Sequence, residues 1–350
     1  MGIDIVRYRP EDRPALKVFL KEAFPDRPRS DPDLWEWVFR DRPPGSPDIP
    51  EVWLLRDGDR VVGQLPTRRI ALQYGRRLWP ARATFDFHIL AEYRNRGAGP
   101  LLVRALSKEP GLLVNLGPNR AAFPIFRRFG WSTLSVLPRA VALLDPGAAL
   151  ERFGVPAPLR RIAGLAAAAL RRVLEHPPRG RPVGRVETAA GFDGEFDAFW
   201  DEWSSQFAVC FHRNVGRMNW RYRDYPLHLY QMLAHRTAGR LTGVLAMRLT
   251  RRKRVPTGII VEQLGRPDAA EALLREAVRR LAEQGAAVIH ARLPHRDWEG
   301  VFRRAGFAIR RGPSHVVQLM TKINGEGPEP LVLRRPENWF VSFGDGDGDW

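Results

Sequence analysis

Cysteine is nearly absent: Cys210 is the only one in 350 residues, so no intramolecular disulfide can form and a reducing compartment is expected. It sits in Phe207-Ala208-Val209-Cys210-Phe211. That apolar setting raises a thiol's pKa and leaves it inert, so a core thiol is expected in preference to a nucleophile, although His212 is close in sequence. Lysine is scarce as well. Of 56 basic residues only Lys17, Lys21, Lys108, Lys253 and Lys322 are lysine, a skew that follows from a preference for arginine codons at least as readily as from a binding surface. No run approaches the ~20 apolar residues that span a bilayer. The amino terminus, Met-Gly-Ile-Asp, has neither a basic n-region nor an apolar h-region, so a cytoplasmic protein is expected.

What is present points to a globular chain. Hydrophobic residues make up 44%, with 11 Trp and 18 Phe, and the length suggests two domains, each large enough for its own core. The formal charge of +17 invites a nucleic-acid reading, but the basic residues are spread along the chain and no specific nucleic-acid partner is expected. A modest attraction to acidic glycans, anionic lipid or nucleotide phosphate remains.

The stretch from Asp86 to Trp131 organises the sequence. Ala83 to Leu90 sets Thr84, Asp86 and His88 against Phe85, Phe87 and Ile89, the period-two pattern of a strand with one apolar face. Arg94-Asn95-Arg96-Gly97-Ala98-Gly99 follows, a turn in which backbone N–H groups can converge on one anion. Pro100 is placed as the first helical residue. Leu101, Leu102, Ala105 and Leu106 continue a helix that stops before Gly111, Leu112 to Leu116 is the next strand, and Asn119 can cap a further helix that Gly130 closes.

Arg94-x-x-Gly97-x-Gly99, with Asn119 and Phe126-x-x-x-Gly130-Trp131 downstream, resembles the GCN5-related N-acetyltransferase (GNAT) superfamily. The resemblance implies a pyrophosphate cradle for acetyl-coenzyme A built from Arg94, Asn95, Arg96, Gly97, Ala98 and Gly99. Strand backbone at Ile89 and Leu90 would polarise the thioester, and Asn119 and Phe126 would lie along the cofactor. It also implies direct attack of an amine on the thioester, without a covalent enzyme intermediate. Asp86 is the preferred general base and His88 the second choice, since both lie on the non-Phe face of the strand. Phe126 departs from the family, which often has a Tyr there to protonate the leaving thiolate.

The chain also repeats. Trp37-Val38-Phe39-Arg40-Asp41-Arg42-Pro43 is matched by Trp220-Arg221-Tyr222-Arg223-Asp224-Tyr225-Pro226, Gly58-x-x-Val61-Val62-Gly63 by Gly239 to Gly243, and Phe126 to Trp131 by Phe302 to Phe307, each about 180 residues on. The predicted architecture is therefore α/β with mixed sheets: two GNAT-like domains in tandem, each a mostly antiparallel sheet flanked by helices. The first spans 1–147, a linker 148–184, and a second, degenerate domain with the tail 185–350. In the second copy three residues, Gly265 to Pro267, separate strand from helix, against eight, Ala91 to Ala98, in the first. The second copy is expected to bind no coenzyme A and to shape the acceptor site or an interface. Glu262 on its equivalent strand is read as a solvated or salt-bridged carboxylate.

In the linker, Leu159, Ile162, Ala166, Ala169, Leu170 and Val173 lie opposite Arg160, Arg161, Arg171 and Arg172. Such a basic amphipathic helix can contact an anionic membrane, but docking on its own protein is the preferred reading. The terminal Asp345, Asp347 and Asp349 alternate like the start of a calcium loop without its closing ligand, so no metal is expected. The tail also looks like the closing segment of some bacterial GNAT-like proteins associated with polysaccharide biosynthesis. The expected function is acetyl-coenzyme A-dependent N-acetylation of an amino sugar or other small amine. A transferase of a longer acyl group and a non-catalytic tandem binding protein are the rivals.

Overall fold

The computed structural model describes residues 2–25, 28–39, 49–94, 96–147, 158, 184–227, 229–252 and 254–346. The linker helix, the Arg40 to Pro43 part of the repeat, Asn95, and the aspartates at 347 and 349 lie outside the described residues. Among the described residues no helix is long and apolar enough to cross a membrane.

The first copy begins with β1 (Ile3–Arg7) and α1 (Arg13–Ala23). Helical spacing buries Leu16, Phe19, Leu20 and Phe24, as their positions predict. After α2 (Pro32–Phe39) come β2 (Glu51–Asp57) and β3 (Arg60–Tyr74). Their hairpin turns at Gly58, whose φ of 59° is the left-handed value that a tight turn needs. β4 (Arg77–Thr84), β5 (His88–Ile89), α3 (Ala98–Leu106), β6 (Gly111–Leu116), α4 (Ala122–Arg128), β7 (Ser132–Val136) and β8 (Arg139–Leu143) follow. Pro100 is the third residue of α3, not the first. None of the first N–H groups of a helix has an intrahelical acceptor, so a proline there costs no bond.

The second copy runs β9 (Arg185–Ala189), α5 (Gly194–Ser204), β10 (Val209–Phe211), α6 (Val215–Met218), β11 (Gln231–Thr237), β12 (Arg240–Arg252) and β13 (Val255–Gly265). It continues with α7 (Pro267–Glu283), β14 (Val288–Arg292), α8 (Glu299–Arg304), β15 (Ala308–Arg310), β16 (Val317–Asn324) and β17 (Trp339–Phe340). A single residue, Arg266, separates β13 from α7.

The two sheets have matching orders. One runs β1-β2-β3-β4-β6-β16-β7, with β5, β10 and β17 attached, and the other runs β9-β11-β12-β13-β14-β8-β15. Each is antiparallel along this order except at one step, β4 beside β6 and β13 beside β14. The copies have exchanged a strand: β8 inserts between β14 and β15, and β16 between β6 and β7. Sheet membership therefore crosses between residues 1–147 and 185–350. Ala140 and Ala142 of β8 are buried in the second copy's core and Met320 of β16 in the first copy's, so each copy lacks part of its core without the other.

The repeated tryptophans meet across this junction. Trp37 stacks on Trp220 with ring centroids 4.8 Å apart and planes 10° from parallel. Arg68 lies over both Phe85 and Trp220, at 4.2 and 5.0 Å, and Gln73 Nε2 donates to Ser204 Oγ at 3.0 Å. The first landmark of the repeat is therefore a contact between the copies.

Candidate functional site

The site begins with one extra residue. β3 pairs Thr67 with Thr84 and Gln64 with His88, so three steps on β3 face four on the other strand, which defines a β-bulge. Within it Asp86 has φ 42°, a left-handed value that Asp tolerates better than most non-glycine residues. Phe85 N donates to Pro66 O at 3.0 Å, and Pro66 has no N–H to return. The Asp86 carbonyl instead accepts from Gln64 Nε2 at 3.2 Å, and Gln64 Oε1 accepts from Trp35 Nε1 at 3.2 Å. Gln64 is fully buried, so this chain of bonds holds the bulge rigidly. The continuous strand expected over Ala83 to Leu90 is corrected accordingly: β4 ends at Thr84 and only His88 and Ile89 resume pairing.

The bulge turns β5 away from β6. Parallel pairing of β4 with β6 stops at Thr84 and Asn115, and the strands then diverge around a cleft of ≈ 900 Å³. From the first copy Asp86, His88, Asn115, Asn119 and Phe126 line it; from the second, Arg248, Thr250, Arg251 and Arg252. The four β12 residues were not anticipated from sequence, where an arginine-rich strand in an arginine-rich chain carries no distinguishing signal.

Other expected site residues take several parts. Gly97 precedes α3 with φ 78° and has open space where a Cβ would be, so it suits a turn that opens toward a ligand. Gly99 serves packing: a Cβ there would lie 3.2 Å from Ile125 and 3.4 Å from Ile89 and Phe87. Ala98 is buried beside it and Arg96 is exposed. Arg94 folds back onto β5. Its Nε donates to Ile89 O at 2.8 Å and its Nη2 lies 3.2 Å from His88 Nε2, so it ties β5 to the turn and engages one ring nitrogen of the second-choice base. Ile89 and Leu90 are buried against β3, with Leu90 N bonded to Val62 O at 3.0 Å. Asn119 caps α4 through Oδ1, which accepts from Ala121 N and Ala122 N at 3.0 and 2.8 Å. Phe126 is fully buried, edge-on to Phe87 and Trp131 at 6.0 and 4.9 Å.

The second copy repeats the bulge and uses it differently. Met247 pairs with Ile260 and Val244 with Leu264, so by register Glu262 is the counterpart of Asp86. Glu262 is 3% exposed and accepts from Arg213 Nε at 3.1 Å and from the Tyr222 hydroxyl at 3.1 Å. Arg213 Nη2 also donates to Asp345 at 2.8 Å, and Arg217 to the same carboxylate at 2.9 Å. The segment that brings Asp345 is packed so tightly that a Cβ on Gly344 would collide with the Tyr222 hydroxyl. Where the first copy has a cleft, the second has its own side chains, together with a turn one residue long.

Cys210 is buried, and desolvation pushes its thiol up to about 12. We predict that it resists a disulfide reagent at pH 8 in the native protein and reacts once the chain is unfolded in denaturant.

No family model matches the sequence, and no curated protein does. Solved structures do match. A conserved Enterococcus faecalis protein of unknown function, described as a probable N-acyltransferase, aligns at a TM-score of 0.61 and 12% identity over 92% of this chain and 72% of its own. Saccharomyces cerevisiae N-myristoyltransferase with bound myristoyl-coenzyme A aligns at 0.60 and 10% over 97% and 84%. A GCN5-related N-acetyltransferase from Kribbella flavida aligns at 0.56 and 16% over 92% and 71%. The fold is that of the GCN5-related N-acetyltransferases. In this GNAT fold the cleft beside the bulge lies between the paired copies, so both copies furnish its walls.

Proposed function

We propose that the protein is an N-acyltransferase that uses acetyl-coenzyme A and acylates an amino sugar or other small amine. The observation that carries this reading is the divergence of β5 from β6 at the Asp86 bulge, with the Gly97 turn leading into the amino terminus of α3. An acyl thioester fits between the diverging strands. The edge of β5 toward β6 has no strand partner among the described residues, and its backbone N–H groups can polarise the thioester carbonyl. The pyrophosphate is assigned to the α3 amino terminus, where the first N–H groups have no intrahelical acceptor.

The amine attacks the carbonyl carbon, the tetrahedral oxyanion collapses, and the C–S bond breaks. Asp86 takes the proton that the nitrogen loses. Phe126 has no proton for the departing sulfur, but a thiol with a pKa of about 8.5 leaves as thiolate without an obligatory acid. Phe126 also favours a second reading, a tandem scaffold that binds ligands without catalysis. Four guanidinium- or hydroxyl-bearing residues in the cleft wall suit a polar acceptor better than a long hydrocarbon chain. An acyl-coenzyme A panel tests that preference, and acetyl is expected to exceed longer chains.

Calorimetric titration of acetyl-coenzyme A tests the reading. Wild-type protein is expected to bind, and Gly97→Glu to bind at least roughly tenfold more weakly, since it sets a carboxylate against the anion at a helix amino terminus. The left-handed backbone costs this variant about 1–2 kcal/mol, so thermal unfolding must first show that it is folded. Gly99 is not the place for this test, because a side chain there disrupts packing whether or not a ligand binds. Absence of binding to wild type overturns the enzyme reading and favours the binding scaffold.

A further inference from the structure

The two walls of the cleft are chemically unlike. The first copy supplies Asp86, the sole carboxylate among its described lining residues. The second supplies the end of β12. Arg248, Thr250 and Arg252 alternate there onto one face of the strand, and Arg251 completes the rim. Arg251 and Arg252 are exposed, whereas Arg248 is buried with its guanidinium 6.0 Å from the Tyr230 ring.

More cations stand close by. The exchanged strand β8 carries Arg139, whose Nη2 lies 3.3 Å from His290 Nδ1 and 3.2 Å from its Nε2. Burial lowers His290 to about 4, and Arg139, Arg252 and Arg292 push in the same direction. Burial likewise lowers Arg292 to about 10, again with Arg139 and Arg252 adding to it. Arg252 thus belongs both to the cleft wall and to a group of cations on β12 and β14 to which β8, crossing into the second sheet, adds Arg139.

The glycine turn adjoins the cleft through Arg94 and His88, but neither Arg94 nor residues 96–99 line it. The arginine wall is therefore distinct from the proposed pyrophosphate site. The cleft volume of ≈ 900 Å³ lies toward the upper end of the roughly 300–1,000 Å³ common for small-ligand sites, which leaves room for an acceptor beside a thioester arm.

We infer that Arg248, Thr250, Arg251 and Arg252 hold an anionic group of the acceptor, a phosphoryl or a carboxylate, so that its amine faces Asp86. The second copy would then select the substrate that the first copy acylates. This assignment rests on the acyl-transfer reading for the role of the amine, while the anion site itself can be tested alone.

The experiment compares matched amines by calorimetry on the full chain saturated with coenzyme A, so that no turnover intervenes. Glucosamine is set against glucosamine 6-phosphate, and alaninamide against alanine; the two pairs separate phosphoryl from carboxylate. In at least one pair the member carrying the phosphoryl or carboxylate should bind roughly tenfold or more tightly than the member without it, as charge-assisted hydrogen bonds require. In an Arg251→Gln, Arg252→Gln variant that preference should fall to about twofold or less, with affinity for coenzyme A retained. Equal binding within both pairs, no binding by either anionic member, or a preference that survives in the variant overturns the inference. Failure of coenzyme A to bind, with arginine-dependent binding of the anionic amine intact in its absence, instead overturns the acyl-transfer reading and leaves the anion site standing.

Discussion

Asp86→Asn is expected to lower turnover by roughly 10²–10⁴-fold, the usual contribution of a general base, while acetyl-coenzyme A binds as before. The substitution is well suited to the site. Asn tolerates the left-handed backbone that Asp86 adopts at φ 42°, and the bond from Gln64 goes to the residue's carbonyl, not its side chain. The bulge should therefore persist. Steady-state rates and calorimetry on one preparation separate the two effects. Wild-type turnover in this variant would remove Asp86 from the mechanism. His88 is the less suitable base, because Arg94 already engages its Nε2.

The other large effect is on stability. Asp345→Ala is expected to destabilise the protein by about 3–5 kcal/mol, because removing one partner of a buried ion pair leaves a charge without compensation. Arg213 is 1% exposed and Arg217 18% exposed as side chains, and both donate to Asp345, which is inaccessible to solvent. The neighbouring acids hold Arg213 above its ordinary value despite complete burial, which opposes them as the largest single influence. Arg217, with Asp345 as its main counter-charge, is lowered by burial. Without Asp345, Glu262 alone must balance two guanidinium groups. For a chain of this size the loss corresponds to roughly 4–7 °C in melting temperature. Glu202→Ala, which breaks only exposed pairs, with Arg266 and Arg240, should move the melting temperature little. Equal shifts in the two variants would remove the buried cluster from the account of stability.

The contrast between Asp86 and Glu262 explains how far sequence reasoning reached. Both carboxylates were visible on corresponding strands, and a shorter turn after β13 marked the second copy as the altered one. The structure strengthens that difference to one residue, Arg266, against the eight from Leu90 to Gly97. Sequence could not show that Asp345, 83 positions beyond Glu262 by numbering, closes over the second bulge, since an aspartate in a glycine-rich tail has no local partner that marks it. Nor could it show the bulge itself. Period-two alternation from Thr84 to Ile89 is the same whether or not one residue is extra; the register with β3 decides it.

Local signals did determine local structure. The hairpin at Gly58, the buried stripe of α1, the Asn119 cap and the internal repeat were all legible, because each depends on residues a few positions apart or on similarity between two stretches. What only the tertiary structure decided was partnership. A strand's alternation says which side chains share a face but not which strand lies beside it. Arg139 to Leu143 and Val317 to Asn324 each complete the other copy's sheet. That exchange joins the two copies, brings the arginines at the end of β12 into the cleft with Asp86, and makes a site from residues that the chain keeps more than 150 positions apart.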